Sequence, residues 1–207
     1  MDKLGVIKEL KIEPCDLNYS AVLDYIDNTK ISRVKTKYSK GDAWTALSLR
    51  GYGEDPLDIL KPNVLGSKVK TEVKLQDTHL LGDASFRAVR DIMSRIPSTF
   101  ERVRLMKIKA KSGIGKHSDR IDKDFGFNDG NIVRIHVPIR TNEDVVFYLW
   151  EGREKTFNHL KTGHFYYVDV RAPHSVINNS NEDRIHLVMD TYVNHEVKEL
   201  LGLASFW

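Results

Sequence analysis

The chain has 207 residues, 41% of them hydrophobic and 29% charged, ordinary for a globular protein long enough to bury a core. Its 32 basic and 29 acidic residues leave a formal net charge of +3, which gives no electrostatic case for a nucleic-acid or membrane-surface partner. The single cysteine, Cys15, excludes an internal disulfide, and no apolar run reaches the ~18–20 residues that cross a bilayer.

The opening MDKLGVIKELKIEP lacks the apolar core of a signal peptide, so a cytoplasmic protein is expected. Asp16 is placed to cap a helix running to about Asp27, with Val22, Leu23 and Ile26 on one face. AWTALSLRGYG alternates as a strand does and ends in a glycine turn. GEDPLDILKPN reads as a loop punctuated by Pro56 and Pro62. A second helix is expected from about Ala84 to Arg95, striped by Phe86, Val89, Ile92 and Met93.

From Phe100 onward short β-like runs follow one another: FERVRLMKIKA, GNIVRIHVPI, VVFYLW, KTFNHL, GHFYYVDV, HSVINN and RIHLVMDTYV. The turn signals SGIG, NDGN, EGRE, KTG and NNSNED separate them. Such spacing predicts a mainly β fold of the jelly-roll kind, closed by a helix in VNHEVKELLGL. The expected organisation is one domain over 1–207. A helical and β support region takes 1–99, the jelly-roll core 100–193, and the C-terminal helix 194–207.

Two phrases stand out, VRIHVPI and DRIHLVMD. Each places an arginine and a histidine two apart inside an apolar run, which puts both on one face of a strand. Strands serving only as core do not carry Arg134, His136, Arg184 and His186 inward, so a polar cavity is expected. Pro138 would disturb a regular ladder and points to an edge or a bulge.

In KHSDR, His117 and Asp119 likewise share a face in an extended segment and could give a metal ion two ligands. Read as a hairpin, APHSVINNSNEDRIHLVMD sets Asn178 opposite Arg184, Val176 opposite His186 and His174 opposite Val188. His174 and Arg184 then point to the same side, roughly 13 Å apart at ~3.3 Å per residue. A small dicarboxylate could bridge a metal on His174 and the Arg184 guanidinium, since arginine holds carboxylates bidentately. Two histidines and one carboxylate, with open positions left, are the ligand set of non-haem Fe(II) oxygenases.

His117-Ser-Asp119, VRIHVPIRTN, GHFYYVDV and PHSVINNSNEDRIHLVMD together resemble the aspartyl/asparaginyl β-hydroxylase family of Fe(II)- and 2-oxoglutarate-dependent oxygenases. The likeness covers roughly Arg102 to Val193, more weakly WTALSLRG. Asp119 makes it more similar to the bacterial free-amino-acid hydroxylases than to the animal membrane-bound enzyme, which lacks that carboxylate. The resemblance implies a double-stranded β-helix core with iron held by His117, Asp119 and His174. It implies that Arg184 pairs with the far carboxylate of 2-oxoglutarate, and that Arg134 and His136 lie near its keto-acid end. The implied reaction hydroxylates an amino acid, free or within a peptide, using O2 and releasing succinate and CO2. No catalytic side chain beyond the metal centre is expected, and no substrate-binding residue carries over.

Two other readings use the same residues. One is a metal-dependent cupin-type isomerase or hydrolase, in which Arg184 anchors no cosubstrate. The other is a non-catalytic binding protein on an oxygenase scaffold, against which the intact triad argues. His79, His159 and His195 are expected at the surface, His164 in a structural hydrogen bond, and His186 either packing behind the site or touching the cosubstrate. The segment at 120–131, with Phe125 and Phe127, is expected to be a flap or a surface excursion, and its acid spacing does not fit a calcium loop. Trp44, Tyr148 and Trp150 are expected in the core or lining a pocket.

Overall fold

The apolar alternation after Phe100 resolves into two facing antiparallel sheets. The computed structural model describes residues 6–29, 32–33, 38–62, 73–119 and 124–203. In chain order the elements are β1 (Ile7–Glu9), α1 (Ser20–Asn28), β2 (Ser32–Arg33), β3 (Trp44–Gly51) and β4 (Gln76–Asp77). Two 3-10 turns, His79–Gly82 and Ala84–Phe86, lead into α2 (Arg87–Met93). Then come β5 (Phe100–Ile108), β6 (Ser112–His117), β7 (Ile132–Arg140), β8 (Val145–Glu151), β9 (Glu154–Asn158), β10 (Tyr166–Val168), β11 (His174–Asn178), β12 (Arg184–Tyr192) and α3 (His195–Leu200).

The larger sheet has the order β1-β10-β7-β12-β5-β3-β2, with β4 added on β3; the smaller is β6-β11-β8-β9. This mainly β, two-sheet arrangement is a jelly roll of the double-stranded β-helix type. The larger sheet draws β1, β2, β3 and β4 from before residue 100. Its outer face carries Val133, Ile135, Val137, Ile185, Leu187 and Met189 in one core with Val22, Ile26, Phe86, Val89 and Ile92 of the helical segments. The residues between them on β7 and β12 therefore face the other way, toward the smaller sheet. A second core, including Ile108, Ile114, Phe147, Leu149, Tyr166, Val168 and Val176, fills the space between the sheets.

Several expectations are corrected by packing. Helix α1 starts at Ser20 rather than after Asp16, and Asn18 Oδ1 accepts from the Ser20 N–H. SGIG is no turn; it is the body of β6. There the glycine is needed for contact: a Cβ on Gly113 would lie 2.5 Å from the Val176 carbonyl oxygen of β11.

The larger correction concerns β11 and β12, which do not form a hairpin. β11 pairs with β6 and β8, whereas β12 pairs with β5 and β7 in the opposite sheet. NNSNED is thus a crossing between sheets, and its backbone is satisfied locally. Asn178, fully buried, donates to the carbonyls of Ile108, Lys109 and Glu182, and Ser180 Oγ donates to Glu182. Pro138 lies inside the sheet at a register shift between β7 and β12, so it marks a bulge and not an edge.

Tyr148 and Trp150 are half-buried on β8, with Lys155 Nζ 3.9 Å from the Tyr148 ring centre and Lys116 Nζ 4.2 Å from that of Trp150. They belong to neither the core nor a pocket at the metal centre.

Candidate metal centre

Strand pairing builds the site. His117 ends β6, His174 begins β11, and the two are direct cross-strand partners, with ring centroids 4.2 Å apart. Asp119 follows β6 by two residues, and its backbone N–H donates to Val170 O at 2.8 Å. One ligand atom from each of His117, Asp119 and His174 lies within 4.8 Å of the others, a spacing that could hold a metal ion.

The surrounding hydrogen bonds fix which atoms are left to face an ion. His117 Nδ1 lies 2.8 Å from Gly115 O, and His174 Nδ1 lies 3.0 Å from Ala172 O. A carbonyl can only accept, so both rings are protonated at Nδ1 when neutral, and their Nε2 lone pairs are left for a metal. Asp119 Oδ2 accepts from Arg134 at 2.7 Å, while Oδ1 lies 3.8 Å from His117 Nε2. One oxygen is therefore held from behind and the other faces the histidines.

Electrostatics favour the ligating forms. Burial lowers the His174 pKa to about 4, and the neighbouring His117 adds to the effect, so the imidazole is neutral. Burial works against ionisation of Asp119, yet the charge of Arg134 and its hydrogen bond hold the carboxyl below the usual range. Aromatic rings wall the centre: Tyr38 stacks on His117 at 4.9 Å, Trp44 lies 6.0 Å from it, and Phe147 stacks on His174 at 6.0 Å.

The two Arg-x-His phrases both point into the space between the sheets. Arg134 donates through Nε and one terminal nitrogen to the two oxygens of Asp190 at 2.7 and 3.2 Å, and through the other to Asp119. Asp190 is fully buried and also pairs with Arg102 and Arg104, each at 2.8 Å. Burial alone would raise its pKa, but the three guanidinium groups hold it far below the ordinary carboxylate value. Arg134 is correspondingly raised despite its burial.

Arg184 is different. It is buried, its guanidinium donates to His186 Nδ1 at 2.5 Å, and no carboxylate pairs with it among the described residues. Its Nε is buried without a partner, as are His136 Nε2 and His186 Nε2. Burial lowers the Arg184 pKa to about 9, which leaves it charged at neutral pH. A buried cation lacking a counterion is unfavourable unless a ligand supplies the negative charge.

All four residues of the two phrases thus lie in one interior, together with the candidate ligands His117, Asp119 and His174. Arg134, expected at the cosubstrate, is engaged by Asp119 and Asp190. Asp190, Arg104, Tyr38 and Phe147 were not expected. The alternation of Arg102 and Arg104 in FERVRLMKI was the available signal for the charge cluster. His164 does make a structural contact, with Glu9 Oε1 at 2.6 Å; His79 and His195 are exposed and His159 is half-buried. In the 120–131 segment, 120–123 lies outside the described residues, while Phe125 lies against Arg134 and Phe127 against Arg171, with ring centres 5.1 and 5.3 Å from the guanidinium carbons.

A double-stranded β-helix that carries His-x-Asp and a distant histidine at one end of its interior has the build of a metal-dependent oxygenase. The family model described as aspartyl/asparaginyl beta-hydroxylase matches residues 17–194, and the chain belongs to that family. The chain is accordingly a dioxygenase of the hydroxylase type, and the family's reagents are Fe(II), 2-oxoglutarate and O2.

No curated protein gives a significant sequence match. Solved structures share the fold at low identity. A 2OG-Fe(II) oxygenase family oxidoreductase from Burkholderia pseudomallei is 15% identical, with a TM-score of 0.51 over 84% of this chain and 77% of that one. The non-heme alpha-ketoglutarate-dependent epimerase SnoN from nogalamycin biosynthesis is 12% identical, with a TM-score of 0.54 over 93% and 79%. A prolyl hydroxylase from Trichoplax adhaerens, in complex with a hypoxia-inducible-factor oxygen-degradation-domain peptide, is 13% identical, with a TM-score of 0.53 over 90% and 80%. No helix among the described residues is long and apolar enough to cross a membrane.

Proposed function

We propose that this chain hydroxylates an amino acid, free or within a peptide, with Fe(II) held by His117, Asp119 and His174. The donor set fits the metal: two imidazoles whose Nδ1 atoms face carbonyls, leaving their Nε2 atoms free, and one carboxylate oxygen, with the remaining positions open. The observation that carries the cosubstrate is the buried Arg184, which no carboxylate among the described residues neutralises and which suits the tail carboxylate of 2-oxoglutarate. Bound together, Fe(II), 2-oxoglutarate and O2 supply the oxidising power, with succinate and CO2 as by-products.

The protein's own share is placement. The carbonyls of Gly115 and Ala172 fix both histidine tautomers, and Arg134 turns Asp119 so that one oxygen remains for the metal. Arg134 also borders the keto-acid end with the N–H groups its two aspartates leave over, and His136 lines the space toward Arg184. Tyr38, Trp44 and Phe147 pack against the two histidine rings and hold them in place. Residues 1–207 work as one unit in this reading, and the buried free thiol of Cys15 suits a reducing, cytoplasmic setting.

The test is anaerobic addition of Fe(II) and 2-oxoglutarate, watched for the visible charge-transfer band of the chelate. Oxygen is then admitted with a panel of amino acids and short peptides, and succinate is measured. A band followed by substrate-stimulated succinate supports the reading. Metal binding with neither band nor succinate would transfer the site to cupin-type isomerase or hydrolase chemistry.

A further inference from the structure

Four arginines lie buried on the inner face of the larger sheet, and they are held in two different ways. Arg102, Arg104 and Arg134 share the carboxylate of Asp190. Arg184 has no carboxylate among the described residues and is met by the imidazole of His186. The guanidinium can only donate, so His186 Nδ1 is the acceptor and carries no proton. The His186 proton must sit on Nε2, which is buried without a partner, as is Arg184 Nε.

A carboxylate in place of His186 would also satisfy the arginine, but it would cancel the charge that a ligand needs. An aliphatic side chain would preserve the charge and leave the guanidinium unheld. An imidazole does neither, provided that it stays neutral. Burial, reinforced by the charge of Arg184, holds the His186 pKa well below its usual value.

We propose that His186 is a positioning residue: its neutral imidazole aims the Arg184 guanidinium without neutralising it, keeping the socket competent for a carboxylate ligand. This rests on the reading of Arg184 as the anchor for 2-oxoglutarate. His186 Nε2–H is a second donor left over in the same interior.

The experiment measures 2-oxoglutarate binding to the Mn(II)-loaded protein without oxygen, by calorimetry, with melting temperature and Mn(II) affinity recorded in parallel. Three variants separate acceptor from charge. His186→Gln keeps a neutral acceptor and stays within about fivefold of wild type. His186→Leu loses the acceptor and weakens binding by between about ten- and a hundredfold, the range for a hydrogen bond to a charged group. His186→Glu pairs with Arg184 and weakens binding by more than about a hundredfold, with melting temperature retained or raised. Mn(II) affinity stays at the wild-type value throughout.

A Glu variant that binds 2-oxoglutarate like wild type overturns the proposal, and so does a folded Gln variant as weak as Leu. Where a variant does not fold, the wild-type protein gives the answer through imidazole nitrogen-15 shifts. Neutral His186 protonated at Nε2 supports the inference, and protonation at Nδ1 overturns it. If wild-type protein binds Mn(II) but no 2-oxoglutarate, the reading of Arg184 has failed, and this inference falls with it.

Discussion

His117 and His174 face each other across the β6–β11 ladder with ring centroids 4.2 Å apart, so one strand pairing assembles two donors that are remote in sequence. That pairing depends on how closely the two backbones approach. At Gly113 the approach leaves no room for a side chain, because a Cβ would meet the Val176 carbonyl oxygen at 2.5 Å. Gly113→Ala is expected to push β6 from β11, lowering metal affinity by at least about tenfold and stability by about 1–3 kcal/mol. Metal titration and urea unfolding of the same variant measure both. Unchanged metal affinity would show that the close approach does not set the position of His117.

Arg184→Ala removes a buried positive charge that no carboxylate among the described residues pairs with. Binding of 2-oxoglutarate should fall by at least about a hundredfold, in line with the roughly 3 kcal/mol upper range for a hydrogen bond to a charged group. Metal binding should be spared, since among the described residues Arg184 is hydrogen-bonded to His186 and not to His117, Asp119 or His174. Loss of metal in this variant would mean that the arginine supports the centre and not the cosubstrate.

Asp190→Asn keeps the shape of the side chain and takes away the charge that Arg102, Arg104 and Arg134 share. Removing one partner from a fully buried ion cluster costs about 3–5 kcal/mol. The variant should show that loss in chemical denaturation. It should also bind metal more weakly, because Arg134 then holds Asp119 from a less fixed position. A stability change below about 1 kcal/mol would indicate that water reaches the cluster and screens it.

Much of this centre is legible in the sequence because it follows from the two-residue period of strands. His117 with Asp119, Arg134 with His136, and Arg184 with His186 are each two apart and do share faces. The long-range pairing is not legible in that way. Local symmetry around NNSNED suggests a hairpin, but the buried Asn178 anchors a crossing between sheets, which only tertiary contacts reveal. The inward convergence of His174 and Arg184 holds nonetheless, because facing sheets and a shared face both aim side chains at one interior. SGIG misleads for a related reason: glycine there answers to a neighbouring backbone and not to a local turn. Asp190 was hidden because a single acid at the end of an apolar run shows its role only beside three arginines from other strand positions.

The buried histidines make stability depend on pH. His136 and His186 are held well below their usual pKa, first by burial and then by the charge of Arg184. In the unfolded chain both titrate near 6.5. Below that pH the unfolded state binds protons that the folded state refuses, so stability falls as pH falls. The loss begins as pH passes below about 6.5 and approaches about 1.4 kcal/mol per pH unit for each histidine, ending only at the lower folded-state value. In metal-free protein His174 adds to the slope down to its own pKa of about 4. Asp190 acts in the same direction but only below the ordinary carboxylate range, since its folded-state pKa is depressed from there. Urea unfolding of metal-free protein between pH 6.5 and 4.5 should therefore show a steep decline. His186→Leu should flatten it by about 1.4 kcal/mol per pH unit. Equal slopes in the two proteins would mean that His186 takes up a proton while folded, and the neutral acceptor that Arg184 requires would then be absent.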